Sequence, residues 1–391
     1  MNKSRKRVLI SGGGIAGLAA AWWLERAGAQ VTIVEKAHAF EPLGHYIGLK
    51  SHGVHTVSRM GLLEACRARE LTLSGLTAYT HSGRPLRDAD TTLLARNVAG
   101  LVLFRRADLH AALYAAVKPY TELRFGAVVD EIHDAGDHME VCSSAGTERF
   151  DLVIGADGIH SRTRKLLFGD VGVHSLAGHY FALSANFPHD LTPGKLAAYF
   201  GRGQFVALIP GDTNQLSGLI YHANTCGIPP ARHDAAGTRA FLRQAYAHFP
   251  AEVRRLLEAL DERSFVFSDE VAMVTLDSIT RGRSALLGDA AHCPTFMSGM
   301  GASLALQGAQ ALGRALYDHG DDIAAALAAY ERAISDVARG YQRSARHARR
   351  LLLSDSRLLT VGRDALLRWT PDWALAMTTQ RFYQATSLVH Q

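Results

Sequence analysis

The residues best suited to chemistry begin near the amino terminus, in Gly12-Gly13-Gly14-Ile15-Ala16-Gly17. Gly12, Gly14 and Gly17 fit the spacing G-x-G-x-x-G, and each answers a separate need. The first permits a tight turn, the second lets backbone approach a pyrophosphate, and the third lets a helix pack close to a strand. A helix that begins at Ile15 and Ala16 turns free N–H groups and the positive end of its dipole toward that pyrophosphate. The run Arg7-Val8-Leu9-Ile10 before the turn reads as a buried strand, and Val31-Thr32-Ile33-Val34 as a second. Glu35 closes the second strand 18 residues past Gly17, with Lys36 beside it. A carboxylate there accepts hydrogen bonds from ribose hydroxyls. A glycine pattern alone is weak, and a ligand-free turn is the competing reading. The order strand, turn, helix, strand, acid favours a dinucleotide site.

Two further stretches belong with it. Asp151-Leu152-Val153-Ile154-Gly155-Ala156-Asp157-Gly158-Ile159-His160-Ser161-Arg162 is an apolar strand ending at Asp157-Gly158. Gly288-Asp289-Ala290-Ala291-His292-Cys293-Pro294 runs on through Thr295-Phe296-Met297-Ser298-Gly299-Met300-Gly301-Ala302-Ser303. With the three in this order, the chain resembles the class A flavoprotein aromatic hydroxylases of the para-hydroxybenzoate hydroxylase type, over nearly its whole length. The Gly-Asp-Ala-Ala-x-Cys-Pro and Ser-Gly-x-Gly pattern is most similar to that of the tetracycline-inactivating hydroxylases and related polyketide monooxygenases. The resemblance implies non-covalent FAD, with NADPH or NADH as a transient reductant and no second glycine fingerprint to hold it. It implies O2 and an aromatic, phenolic or polycyclic polyketide-like small molecule as the other partners. Oxygen then passes from a flavin C4a-hydroperoxide, and no side chain is required as catalytic base. The protein positions that electrophile and keeps it dry.

The resemblance also implies roles for single residues. Arg106, in Arg-x-x-Leu-x-x-x-Leu with Leu109 and Leu113, lies against the pyrophosphate in preference to Arg105; a guanidinium suits paired phosphate oxygens. Val128 offers backbone to the adenine. Asp157 supports the pyrophosphate, and Arg162 either holds phosphate or pairs with Asp157. Asp289 accepts a ribityl hydroxyl. Pro294, Gly299, Gly301, Ala302 and Ser303 form the loop and helix start facing flavin N1 and the C2 carbonyl. Phe296 and Met297 line the substrate pocket from that loop; Tyr199, Phe205 and Tyr221 are candidates from a covering sheet. Gly44-His45 and Lys50 stand where many relatives carry arginine, and Gln307-Gly308 replaces an acidic pair. His160, His222 and His292 lie near these segments and read more readily as surface or core groups than as bases. A competing enzyme reading is an FAD-dependent reductase or dehydrogenase acting on an alkene without oxygen insertion. A halogenase is disfavoured by the lack of a Trp-x-Trp-x-Ile-Pro segment, and a non-catalytic flavin-binding protein is a third class.

The elements that must position these residues follow from periodicity. Helices are expected over 15–27, 52–69 and 104–117. A hairpin turns at Gly83-Arg84-Pro85, and a β-meander runs over 121–150. Residues 178–222 are rich in Tyr, Phe, Val and Ile and read as an antiparallel sheet. A helix follows over 237–260, then one or two strands from Phe265 to Leu276. A strand at Ala285-Leu286-Leu287 precedes helices over 302–318, 322–350 and 351–386. The expected class is α/β. A Rossmann-type FAD-binding domain is assembled from 1–70, 97–171 and 277–345. An antiparallel-sheet substrate domain takes 71–96 and 172–276, and a C-terminal helical segment takes 346–391.

Composition fits a soluble globular protein: 391 residues, 48% hydrophobic and 20% charged, enough chain for two domains. Four scattered cysteines with no C-x-x-C argue against a disulfide frame or zinc site and suit a reducing cytoplasm. Lys3, Arg5, Lys6 and Arg7 before an apolar run resemble a signal peptide, but only the nucleotide reading explains the glycines. No run is long enough to span a membrane. The net charge of +5 owes much to residues 339–350, where a solvated helix face is favoured over a nucleic-acid patch.

Overall fold

Three apolar runs that end in glycine or aspartate become neighbouring strands of one sheet. The computed structural model describes residues 5–41, 45–50, 52–89, 102–144, 146–211 and 214–371. Its six-stranded sheet runs, in spatial order, Thr280–Arg281, Ser284–Leu286, Leu152–Gly155, Arg7–Ser11, Gln30–Glu35 and Glu122–Phe125. Every pairing is parallel except the first. Strands covered on both faces are apolar along their length, and Val8, Leu9, Ile10, Val31, Ile33 and Leu152 to Ile154 are all buried. Because Arg7–Ser11 lies between a strand that follows it directly and one far along the chain, the order reverses beside it. In doubly wound sheets such a reversal opens a crevice at the strands' carboxyl ends.

Helix Ile15–Arg26 packs on this sheet, Gly301–His319 and Arg106–Val117 pack on Ile15–Arg26, and Ile323–Leu352 packs on Gly301–His319. A three-stranded antiparallel sheet, Val129–Asp134, Met139–Ser143 and Gly146–Phe150, forms the meander. The expected first strand of that meander, Leu123 to Phe125, instead pairs in parallel with Gln30–Glu35 at the edge of the main sheet.

The second large sheet has seven strands, in spatial order Phe265–Val274, Val173–Asn186, Gln215–Ala223, Gln204–Pro210, Lys195–Phe200, Gly75–Thr80 and Pro85–Ala89. It is antiparallel apart from the parallel pairing of Lys195–Phe200 with Gly75–Thr80. Helices Ala235–Ala245 and Ala251–Ala259 cover one face and make a separate core with Phe181, Val206 and Ile220. The opposite face turns toward the crevice of the first sheet.

Three expected helices are shorter than the apolar pattern suggested. The 52–69 segment divides into His52–Arg59 and Leu63–Arg67, because Gly61 takes φ +74° and ends the first turn run. The 237–260 segment divides at Pro250, whose ring cannot continue a helix. The last described helix is Arg357–Trp369, and residues 372–386 of the expected C-terminal helix lie outside the described residues.

Candidate functional site

The glycine turn is held from both sides. Gly12 has φ +109°, and a Cβ there would stand 2.5 Å from the Ala156 carbonyl oxygen and 2.9 Å from the Asp157 Cα. The first and second motifs therefore touch through backbone. A Cβ on Gly17 would stand 1.9 Å from the Gly12 oxygen, so helix Ile15–Arg26 lies hard against the turn. Gly288 brings in the third motif, since its Cβ would lie 2.8 Å from the Ala16 Cβ. Glu35 accepts the Gly13 N–H at 2.7 Å and the Ala37 N–H at 2.9 Å. His110, from the helix that Arg106 opens, bonds the Gly13 carbonyl at 2.8 Å.

Around this turn lies a cleft of about 500 Å³. Gly12, Gly14, Ile15, Ala16, Glu35, Lys36, Arg106, Val128, Asp157, Asp289, Gly301 and Ala302 all line it. A Cβ on Gly14 would meet nothing within 4 Å, so the backbone there faces open cleft. Two helix starts open onto it, at Gly14 and at Met300, and neither carries a side-chain cap. Unsatisfied N–H groups and two positive dipole ends therefore face one cavity. Burial pushes the Arg106 guanidinium pKa down, against the pull of Asp289 and Tyr180. Asp289 lies deep in the molecule with its surface open to the cleft. Burial raises its carboxyl above the usual range, while the Cys293 thiol and Arg106 pull it back.

The cleft continues into a chamber of about 310 Å³, with His45, Ile47, Tyr180, Asp289, Gly301 and Ala302 lining both. Pro294, Phe296 and Gly299 line the chamber from the third motif. Thr295 in that loop takes φ +67°, a strained conformation for a β-branched residue, and its hydroxyl accepts the Met297 N–H at 3.2 Å. Gly299 takes φ +60°, which glycine adopts without strain. Tyr180 stacks on Phe296 at 5.2 Å. At the junction His160 bonds Asp269, its Nε2 lying 3.0 and 3.1 Å from the two carboxylate oxygens. One element of each large sheet is thereby tied to the other.

Several expected residues lie outside the cleft, and others, Asp157 and Arg162 among them, line it but are taken up by protein partners. Ser303 is fully buried and accepts the Lys50 N–H at 3.3 Å, behind the loop rather than in the cleft. Met297 packs with Tyr221, Val271 and Leu353 and lines neither chamber. Tyr199 points to the helix-covered face of the second sheet, where it stacks on Tyr79 at 5.0 Å. Phe205 and Tyr221 share the chamber-side face with Tyr180, by direct cross-strand pairing, but they are sealed behind Phe296 and Leu352. Arg105 pairs with Asp108 at 3.0 Å while Arg106 lines the cleft. Asp157 is taken up by the Thr163 N–H and hydroxyl at 2.9 and 3.0 Å and by Ser161, so it braces helix Arg162–Phe168. Arg162 pairs with Asp130 at 2.9 Å, not with Asp157. Gly44 lies outside the described residues. His222 and His292 are buried, each with its imidazole pushed down to about 4 by burial.

Tyr180, Asp269, Thr295 and Ile159 were not singled out in the sequence. Strand Val173–Asn186 carries a bulge, with Ala177 at φ +52° and a register shift between Ser175 and His179. Simple alternation across it therefore does not tell Tyr180 from Phe181. The sequence did flag His160, through its place after Asp157-Gly158.

The residues present fit a flavin dinucleotide. The cleft is long, phosphate-seeking at its middle, carboxylate-bearing at Glu35 and Asp289, and aromatic beyond Tyr180. Such a site on a doubly wound sheet defines a dinucleotide-binding protein. The model of the FAD binding domain family matches residues 5–345, and the chain belongs to that family. It is 32% identical to an uncharacterized protein of Mycobacterium tuberculosis, over 83% of this chain and 88% of that one. It is 28% identical to the FAD-dependent monooxygenase asL4 of Sarocladium schorii, over 80% and 76%. The crystal structure of tetracycline destructase Tet(55) superposes with a TM-score of 0.80 at 25% identity, over 100% of both chains. The protein is an FAD-dependent monooxygenase.

Proposed function

We propose that this monooxygenase hydroxylates an aromatic or polycyclic, polyketide-like small molecule held in the 310 Å³ chamber. The observation that carries the reading is the joining of two unlike cavities at Asp289, Tyr180 and Gly301. One is built for phosphates and ribose; the other has aromatic walls at Tyr180 and Phe296. FAD, when bound, supplies the redox and oxygen chemistry. The chain's own residues bind, orient and exclude water.

In this reading Gly12, its own N–H held by the Val34 carbonyl at 2.8 Å, makes the turn; Gly14, Ile15 and Ala16 offer backbone N–H groups to the pyrophosphate, and Arg106 adds a partly buried cation. Glu35 and Lys36 hold the adenosine ribose, with Val128 backbone at the adenine. Asp157 acts through the helix it braces. Asp289 accepts a ribityl hydroxyl. Pro294, Gly299, Gly301 and Ala302 set the loop and helix start against the flavin ring, where the dipole favours a negative charge on N1 and the C2 carbonyl. Ser303 fixes that helix start from behind by its bond to the Lys50 N–H. Phe296 and Tyr180 hold the substrate, backed by Met297, Tyr221 and Phe205. The reading divides the chain into the FAD-binding, substrate and C-terminal units expected above. It also places the enzyme in the cytoplasm, which the free thiols of Cys66, Cys142, Cys226 and Cys293 support.

The test is to follow NADPH oxidation and dissolved oxygen together with a panel of phenols, anthraquinones and tetracyclines, and to weigh the products. A product heavier by one oxygen atom, formed with matched oxygen uptake, is expected. Turnover that proceeds without oxygen for every active compound would replace this reading with a reductase.

A further inference from the structure

Helix Arg357–Trp369 is amphipathic the wrong way round. Its inward face carries a fully buried arginine, and its outward face is apolar. Leu358, Leu359, Val361, Leu366 and Trp369 are 85%, 45%, 64%, 49% and 76% exposed. At 3.6 residues per turn these five fall within an arc of roughly 160°. Arg357 and Arg368 flank one side of that arc, and the Arg368 guanidinium lies 5.8 Å from the Trp369 ring centre.

The rotation of the helix is fixed. Arg363, 2% exposed, donates to the carbonyls of Gly201 and Leu352 at 3.0 Å each and lies over the Phe200 ring. Its Nη2 also donates to Asp364 at 2.7 Å. At the other end Arg87 donates to the Leu367 carbonyl at 3.1 Å and to that of Thr370. Turning the leucines inward would strip a buried guanidinium of these partners and leave its charge uncompensated.

The preceding helix end supplies charge. From 343 to 371, every exposed charged side chain among the described residues is basic if His347 is set aside as neutral: Arg343, Arg346, Arg350, Arg357 and Arg368. Leu351, in the last turn of that helix, is 44% exposed. We propose that this face docks the enzyme on an anionic phospholipid surface, the apolar arc lying in the headgroup region and the arginines on the lipid phosphates. Leu, Trp and Arg in this arrangement are what an interfacial helix requires. A second copy of the chain is disfavoured, because a two-fold interface through this face sets arginines against arginines. Leu352 and Leu353, between the two helices, pack against Phe296 at the chamber.

The test uses the FAD-loaded full chain in vesicle flotation, with phosphatidylcholine alone or mixed with phosphatidylglycerol. Flotation with the anionic vesicles only, reversed by high salt, is expected. A blue shift of tryptophan emission that Trp369→Phe removes should accompany it. Leu358→Glu should weaken the partition about tenfold or more. Arg346→Ala with Arg350→Ala should weaken it about thirtyfold, at roughly fivefold per arginine. Flavin absorbance and NADPH oxidation should stay at parental values in both. If Leu358→Glu fails to fold, the arginine pair decides. The inference is overturned by failure to float on either lipid, or by equal partition of parent and variants. It is also overturned by a parental dimer that Leu358→Glu dissolves, or by capture of an acidic protein without lipid binding. Flotation needs no turnover, so it stands or falls apart from the substrate reading.

Discussion

Gly14 and Gly17 lie three residues apart in one turn and answer to different constraints. A Cβ at Gly17 collides with backbone at 1.9 Å, whereas one at Gly14 stands in open cleft. Gly17→Ala should therefore cost the apoprotein about 3 kcal/mol or more, as overpacking against backbone that cannot move. Gly14→Ala should leave apoprotein stability unchanged and weaken FAD about tenfold or more, equivalent to some 1.4 kcal/mol. Denaturant unfolding of both apoproteins and a fluorescence titration with FAD measure the two effects. Equal FAD affinity in Gly14→Ala would remove the pyrophosphate from this turn. Asp289 supplies a second contrast. A carboxyl raised in the fold contributes most below the ordinary carboxylate range, and that contribution is lost as pH rises through the raised value. Asp289 thus costs the empty protein stability at neutral pH. Asp289→Asn should melt no lower than the parent in the absence of FAD and should bind FAD less tightly. A lower apoprotein melting temperature at neutral pH would contradict this account.

Among the elements, the pairing of helix Ile15–Arg26 with Gly301–His319 matters most, because both N-termini meet at the cleft. They pack tightly at Gly313, where a Cβ would stand 2.5 Å from the Trp23 Cβ and 3.2 Å from its backbone carbon. Gly313→Ala should force the helices apart and lower stability by about 1–3 kcal/mol, measured by urea unfolding. Since the two helix starts then diverge, FAD affinity should fall with it. Element type was legible where periodicity was strong, as in the glycine turn, the 106–117 helix and the sheet over 178–222. Element ends were not. Gly61 and Pro250 each divide an apolar pattern that reads as one long helix, because the hydrophobic face continues across the break. The strand at Glu122–Phe125 was legible as a strand, but its partner was not. Nothing local distinguishes a meander edge from the edge of a parallel sheet 90 residues back in the chain.

For the whole molecule, pH dependence follows from three histidines. His45, His222 and His292 are each pushed down to about 4 by burial, His45 also by Arg106. A depressed folded-state value means the unfolded chain binds more protons. Stability is then full above the ordinary histidine value of about 6.5 and is lost as pH falls toward about 4. Apoprotein unfolding free energy should fall steadily as pH drops below about 6.5. A curve flat down to pH 5 would mean these rings carry protons in the fold.

The amino-acid sequence by itself determined the three strand-end motifs, the parallel sheet they cap and the cofactor class, because backbone approach to phosphate demands glycine at set spacings. It also marked Arg106 over Arg105 and drew attention to His160. Only the tertiary structure decided which aromatics face the chamber. Tyr180, Tyr221 and Phe205 share one sheet face and Tyr199 the other, and the bulge at Ala177 sets which is which. It alone decided that Arg162 meets Asp130, that Ser303 turns inward, and that helix Arg357–Trp369 buries an arginine while presenting leucines to the outside. Spacing along a chain fixes which residues share a face, whereas the direction that face turns depends on partners hundreds of residues away.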